Sequence, residues 1–416
     1  LGIIPIRILW SRFDVGNPIP HPAPHALISG AGIAGLAAAW WLQRTGWRCT
    51  LVEQAGNLRD GGHMLGLSGP GLATARQMGL VETLKAAAFA DMGLHVYRDR
   101  QDREILRMDY RTLLRDMEWI TLRRGDLVHA LHRQVQASAT LCFGNRIVDV
   151  QQDSGAVQAT LVDGSRIDAD LLLVADGVHS TLRQTLFAAD AECLKPLGYR
   201  YASYEVRDPE ALAEQFVSYP EPGLQSEYYA LGEGRLAALH VWRSQQHGEV
   251  AAAQRLPLLQ SISGNSNRFV RYGLQQHDPA SPVVIDDLAL VELPRWHSGR
   301  VLLLGDAAHS LSLISGQGAG MALASASVLA QELQRAEHLP RPAAIAAALV
   351  RHEQRLRPTV IRLQQRSRRL APAFVPAKAW SFHLRNLALR AMPDAMLRRF
   401  FLNGLKSEAE AMAALA

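Results

Sequence analysis

The chain has 416 residues, room for two or three domains of about 100–200 residues each. With 48% hydrophobic and 20% charged residues it is a globular rather than a disordered sequence. Its 44 basic and 39 acidic residues leave a formal charge of +5, too small an excess over this length to point to nucleic acid as a partner.

The first stretch, LGIIPIRILWSRFDVGNPIPHPAPH, has a short apolar run broken by Pro5 and Arg7. It lacks the basic region, the apolar stretch of about 7–15 residues and the small-residue cleavage site of a signal peptide. Residues 1–24 therefore read as a leader or linker that ends in a stiff proline-rich segment, with the fold beginning near His25. No uninterrupted apolar run reaches the roughly 20 residues of a membrane span. Cys49, Cys142 and Cys193 are odd in number and widely separated, so a paired zinc or dithiol motif is excluded and no metal site is expected. They read as reduced thiols of a cytoplasmic protein.

HALISGAGIAGLAAAWWLQRTGWRCTLVEQA, residues 25–55, reads as strand, turn, helix, strand. Gly30, Gly32 and Gly35 give the G-x-G-x-x-G spacing. The first permits a tight turn, the second lets a pyrophosphate approach the backbone, and the third lets helix pack on strand. Free amides at the helix start, including that of Ala34, would face the anion. Glu53 ends the second strand, where a carboxylate can accept from ribose hydroxyls. The pattern predicts dinucleotide binding without yet separating NAD from FAD.

Further along, Arg124 stands in ITLRRGDLVHAL, and Ile147 in NRIVDV. The apolar run DLLLVA leads into Asp176 and Gly177 of DGVHSTLR. Alternating stretches GLHVYRD, REILRMDY, SEYYALG and RLAALHVWR predict strands of a β-rich lid. In RVLLLGDAAHSLSLISGQGAGMALASASVLAQELQ, a buried strand runs into Asp306, which places a carboxylate at a strand's carboxyl end, where open α/β sheets bind ligands. Gly316, Gln317, Gly318 and Ala319 start a long helix whose free amides and positive dipole end suit a flavin that becomes negative on reduction. Residues 351–369, RHEQRLRPTVIRLQQRSRR, carry seven arginines and one glutamate. The helical spacing of their leucines predicts a bracing helix with a solvated basic face, with docking to an anionic membrane surface as the alternative.

GAGIAG at 30–35, DGVHSTLR at 176–183, and GDAAH at 305–309 followed by GQG at 316–318 occur in the order found in class A flavoprotein aromatic hydroxylases. The chain resembles this para-hydroxybenzoate hydroxylase family of single-component FAD monooxygenases over roughly residues 25–390, and its local wording is nearest to the tetracycline-degrading monooxygenases. The resemblance implies an α/β fold, a Rossmann-like FAD-binding domain with an interleaved β-sheet substrate domain and a C-terminal helical segment. Residues 25–80, 118–188 and 285–335 would form the FAD-binding domain, 81–117 and 189–284 the substrate domain, and 336–416 the C-terminal segment. It implies that Arg124 meets the pyrophosphate or ribityl side of FAD, Ile147 the adenine, Asp176 and Gly177 both FAD and a transient NADPH or NADH, and Asp306 a ribityl hydroxyl. The activity implied is hydroxylation of a small aromatic or polycyclic molecule with O2, by way of a flavin hydroperoxide.

Two departures stand out. Leu313 replaces the proline usual beside the flavin's reactive face, which restores an amide and loosens the backbone. Gln54 replaces the arginine that usually follows the ribose acid, leaving Arg124 as the cation for the phosphates. In LAALHVW, His240 resembles a substrate-facing histidine able to accept a phenol proton, against the alternative of a structural strand histidine. Strand alternation puts Trp242 on the same face, and Tyr228, Tyr229 and Arg243 are the other candidate pocket residues. A halogenase is disfavoured because the chain has no Trp-x-Trp. An FAD-dependent reductase or dehydrogenase of an apolar substrate and a non-catalytic FAD-binding scaffold remain the alternatives.

Overall fold

The computed structural model describes residues 23–58, 64–88, 93–113, 115, 118–207, 216–232, 234–392 and 396. Residues 1–22 of the expected leader, and Gly61 to His63 ahead of the strand Met64–Ser68, lie outside the described residues.

His25–Ser29 is buried along its whole length, as a strand covered on both sheet faces must be. It is an inner strand of a six-stranded sheet, flanked in parallel by Arg48–Glu53 on one side and Leu171–Val174 on the other. Thr140–Phe143 extends one edge, and Val301–Leu303 followed by His297–Ser298 the other. The helix Ile33–Arg44 is alanine-rich and buries nine of its residues; small side chains let it lie close to both Gly318–Arg335 and Arg124–Val135. A three-stranded antiparallel sheet, Ile147–Gln152, Val157–Leu161 and Arg166–Ala169, is attached to this layer.

The second layer is a seven-stranded sheet. Its order is Val284–Val291, Leu194–Arg207, Arg235–Arg243, Leu224–Gly232, Phe216–Glu221, Leu94–Arg98 and Glu104–Asp109. Residues 284–291 pair with Leu194–Arg207, so this strand, which the sequence reading groups with the FAD-binding segments, is hydrogen-bonded into the seven-stranded sheet. Alternation along the strands sorts the side chains onto two faces. On one, Tyr204, Tyr228 and Trp242 pack with Leu259 and Val270 from the helices Ala252–Ile262 and Arg268–Gln275. On the other, Tyr229, Leu239 and Val241 pack with Leu313, Ile314 and Phe374.

The C-terminal region holds a 34-residue helix, Arg341–Phe374, and a second helix, Ala379–Ala391. Its arginines do not form one open basic face. Arg351 and Arg355 pair with Glu332, Arg357 with Glu353, and Arg368 with Glu292. The bracing reading fits these pairs better than the membrane-surface alternative. Among the described residues no helix is long and apolar enough to cross a membrane.

Candidate functional site

The early glycines perform three separate physical tasks. Gly30 has φ +100°, and a Cβ there would stand 2.5 Å from the Ala175 carbonyl oxygen; only glycine takes this turn against the neighbouring strand. A Cβ on Gly35 would lie 2.0 Å from the Gly30 oxygen, so helix and strand touch through backbone alone. Gly32 is different: its added carbon would meet only the Arg124 Nη2, at 3.8 Å. Space therefore opens beside the uncapped start of the helix Ile33–Arg44, with a guanidinium on its far side. Arg124 makes no hydrogen bond or ion pair to any described residue.

Glu53 holds this turn in place, accepting from the Ala31 amide and the Ala55 amide at 2.9 Å each. Each carboxylate oxygen keeps acceptor capacity for a ribose hydroxyl. Gln54 is exposed. The Asn145 amide bonds to the Glu53 carbonyl and the Gly144 amide to that of Ala55, bringing the start of the strand Ile147–Gln152 next to Glu53. The Ile147 side chain is in the core, which leaves its main chain to meet a ligand.

The late glycine turn closes on the early one. Gly305 has φ +61°, and a Cβ there would stand 2.7 Å from the Cβ of Ala34, so the two motifs are in contact. Asp306 follows; it is exposed to solvent yet has many protein groups close by, as happens for a residue lining a cleft. Burial pushes its carboxyl up, and the charge of Arg124 opposes this. Gly318 lies across from it, its Cβ position 3.9 Å from the Asp306 Oδ1. The helix Gly318–Arg335 starts there with no side-chain cap, so its first amides are open to a ligand. Gly316 turns the chain at φ +66°, Gln317 is buried and Ala319 is half-buried.

Between these ends, Asp176 keeps its Oδ1 buried without a hydrogen-bond partner, and burial pushes its carboxyl up. Such an orphaned oxygen suits a missing donor. Gly177 turns beside it at φ +91°. The buried Arg183 ties the cleft walls together, donating to the Val178 carbonyl at 2.7 Å, the Ala307 carbonyl at 3.4 Å and the Asp190 carboxylate at 2.5 Å. Sequence reasoning quoted this arginine within its motif without a role for it. Tyr201 was missed altogether; the charges of both Asp306 and Arg124 act on it, and it carries no motif. Ser312, just before Leu313, holds φ +65°, a conformation costing a non-glycine residue about 1–3 kcal/mol.

His240 requires a correction. It is wholly buried, with Nε2 2.8 Å from the Tyr204 hydroxyl and Nδ1 2.9 Å from the Ser226 hydroxyl. Burial pushes it down to about 3, so it stays neutral. It lies with Tyr228 and Trp242 on the face covered by the helices 252–262 and 268–275, away from Asp306 and Leu313. Of the candidate pocket residues, Tyr229 is the one in the cleft-side cluster with Leu313. Arg243, on the same face, is exposed and bonds to the Tyr199 hydroxyl.

The open space beside Gly32 and Arg124, the uncapped helix starts, the Asp306 cleft and the orphaned Asp176 oxygen together fit FAD. Comparison with known proteins agrees. The FAD binding domain family matches residues 24–198 and 287–346. An uncharacterized protein of Mycobacterium tuberculosis strain H37Rv is 30% identical over 338 residues, covering 74% of this chain and 85% of that one. A flavin-dependent monooxygenase of Legionella longbeachae is 27% identical over 333 residues, 74% of this chain and 80% of its own. Among solved structures, the tetracycline destructase Tet(55) shares the fold with a TM-score of 0.78 at 24% identity, covering 94% of this chain and 98% of its own. Klebsiella pneumoniae HpxO, complexed with FAD and uric acid, does so at 0.75 and 21%, covering 94% and 97%. The chain belongs to the FAD binding domain family, and its architecture is that of the FAD-dependent monooxygenases.

Proposed function

We propose that this protein is an FAD-dependent monooxygenase that hydroxylates a small aromatic molecule with O2, using NADPH or NADH as a transient reductant. The observation that carries the reading is the meeting of Gly32, Arg124 and Asp306 around one cleft, with an apolar wall of Tyr229, Leu239, Leu313 and Ile314 beside it. Bound FAD would supply the redox and oxygen-transfer chemistry; the chain supplies grip, charge and dryness.

In this reading Gly30, Gly32, Ala34 and Gly35 hold the pyrophosphate turn, and Glu53, Gln54 and the Ile147 backbone border the adenosine. Arg124 balances phosphate charge, and Asp306 accepts from a ribityl hydroxyl. Asp176 and Gly177 take the donor that the orphaned oxygen lacks. The amides that follow Gly316 and Gln317, at Gly318 and Ala319, favour negative charge on the reduced ring. Leu313 and Tyr229 border the substrate, and the apolar wall excludes water from the reacting atoms. We assign the six-stranded and three-stranded layers to FAD, the seven-stranded layer to the substrate, and the chain to the cytoplasm, which suits its three free thiols.

The test is NADPH oxidation with and without candidate phenols. Phenol-stimulated O2 uptake with a product heavier by one oxygen is expected. Leu313 in place of proline favours one other reading, an FAD-dependent reductase of an apolar substrate; hydride consumption under nitrogen with a saturated product would establish that one instead.

A further inference from the structure

The helix Ala379–Ala391 turns an apolar stripe outwards. Trp380, Leu384 and Leu387 follow the i, i+4, i+7 spacing that aligns side chains along one face of a helix. They are 65%, 58% and 64% exposed, and with Met396, at 62%, they are the four most exposed large apolar side chains among the described residues. The other exposed ones are spread along the chain from Val148 to Ile361; these four fall within residues 380–396. The opposite side of the helix fixes which way the stripe faces. Phe382 is buried, the Arg385 guanidinium lies 5.3 Å from the centre of its ring and donates to the Phe374 carbonyl at 2.9 Å, and Arg390 donates to the Ile105 carbonyl. Met392, just beyond the helix, packs with Met108. The helix is therefore seated on Glu104–Asp109, the edge strand of the seven-stranded sheet.

Charge around the stripe has one sign. From Arg369 to Ser407 the sequence holds seven basic residues and one acid, Asp394. Arg385 and Arg390 bond to neutral carbonyls, which leaves their charge uncancelled, and Arg369 and Lys378 are exposed. Glu104, in the strand beneath, is paired with Arg107. The arginines of Arg341–Phe374 that brace the fold differ in being paired with carboxylates. A second copy presenting the same face would bring like charges together. A 13-residue helix with these charges is also too short and too polar to span a bilayer. An apolar stripe that includes tryptophan and is bordered by cations matches the boundary between acyl chains and headgroups of an anionic membrane.

We propose that the helix Ala379–Ala391 docks this protein on an anionic lipid membrane, lying in the plane of the surface. Trp380, Leu384 and Leu387 enter the headgroup region, and Lys378, Arg390 and their basic neighbours hold the helix there by charge. The cytoplasmic leaflet carries negative charge, so docking agrees with the cytoplasmic assignment, and it depends on neither FAD binding nor the hydroxylase reading. The contact is reversible. Three side chains on one helix bury far less apolar surface than a spanning segment, and the attraction of the cations falls off within a Debye length, so binding needs both contributions and weakens with salt. Because the helix sits on the edge of the sheet assigned to the substrate, docking brings that layer to the lipid surface.

The experiment uses the whole FAD-loaded chain and vesicles of phosphatidylcholine, alone or with about 30% phosphatidylglycerol, separated by flotation. The wild type should partition onto the anionic vesicles at least about tenfold more strongly than onto the neutral ones, and the difference should largely disappear at about 1 M salt, where the Debye length is about 3 Å. The triple variant Trp380→Gln, Leu384→Gln, Leu387→Gln keeps good helix formers in place. Its partition onto anionic vesicles should fall at least about tenfold, while its melting temperature and FAD affinity stay those of the wild type, since the three side chains face solvent. Trp380→Gln alone should lower partition severalfold, which keeps the test independent of how the triple variant folds, and Lys378→Gln should lower it about fivefold. No flotation of the wild type with anionic vesicles overturns the proposal. So does equal flotation of the wild type and both tryptophan variants, which reduces the binding to charge alone. A wild type that self-associates without lipid and is dispersed by the triple variant gives the stripe to a second copy and overturns the proposal as well.

Discussion

Alanine substitutions at Gly32 and Gly35, in the same turn, should fail in opposite ways, because Gly35 makes room for protein and Gly32 makes room for a ligand. At Gly35 the new carbon would stand 2.0 Å from the Gly30 oxygen, where ordinary contact begins at 3.4 Å, so helix and strand must part by about 1.4 Å. Overpacking costs about 1–3 kcal/mol, and because the obstacle is backbone rather than a movable side chain the upper value applies. At 2–4 °C per kcal/mol, the FAD-free protein should melt roughly 6–12 °C lower. Gly32→Ala meets no such wall. Its backbone, at φ −80° and ψ −172°, suits any residue, and losing a glycine favours the folded state by about 0.4–1 kcal/mol. Its methyl group would, however, fill the space facing Arg124. FAD affinity should fall at least about tenfold, or 1.4 kcal/mol. Thermal melts of both FAD-free variants and FAD titration of Gly32→Ala are the assays. A destabilised Gly32→Ala that binds FAD normally, beside a Gly35→Ala of unchanged stability, would refute the reasoning.

Asp176→Asn should raise the melting temperature of the FAD-free protein at neutral pH and weaken FAD binding. The folded carboxyl is pushed above its unfolded value by burial, so ionising it opposes folding above that range, and the gain should vanish as pH falls below the ordinary carboxyl range; calorimetry across pH checks the sign. His240→Ala should destabilise the protein by about 2–4 kcal/mol by emptying a buried, doubly bonded site, while equilibrium titration shows unchanged FAD affinity. Glu332 is enclosed by Arg335, Arg351 and Arg355. Burial pushes its carboxyl up, but the arginines outweigh this and hold it below its usual range. Glu332→Gln should cost about 3 kcal/mol at pH 7 in urea unfolding, and the difference from wild type should shrink as acid titrates Glu332 through its lowered folded value.

The two glycine turns were legible because they are local. Gly30 to Glu53 lie in one strand–turn–helix–strand unit, and Asp306 and Gly318 stand close in sequence, with only the short helix that Asp306 opens and one 3-10 turn between them, so spacing carries most of their geometry. What spacing cannot carry is which sheet face looks at the cleft. Alternation put His240 and Trp242 together correctly, yet the helices at 252–262 and 268–275 cover that face, and their docking is a tertiary fact. The strongly amphipathic RFVRYGLQ at 268–275 was the available signal that a helix would claim one side of the strands. That the strand at 284–291 pairs into the seven-stranded sheet, although it leads directly into His297–Ser298 and Val301–Leu303 of the six-stranded one, is likewise a non-local fact.

The central claim is a two-ended grip on one flavin nucleotide, with the AMP half at Gly30, Gly32, Gly35 and Glu53 and the sugar-alcohol tail at Asp306. Equilibrium titration of the FAD-free protein with FAD and with FMN, followed by quenching of flavin fluorescence, tests it most directly. FAD should bind at least about a hundredfold more tightly than FMN, or roughly 2.7 kcal/mol, and Asp306→Ala should weaken both. Equal affinity for the two, or no binding of either with the protein remaining colourless, would contradict the account.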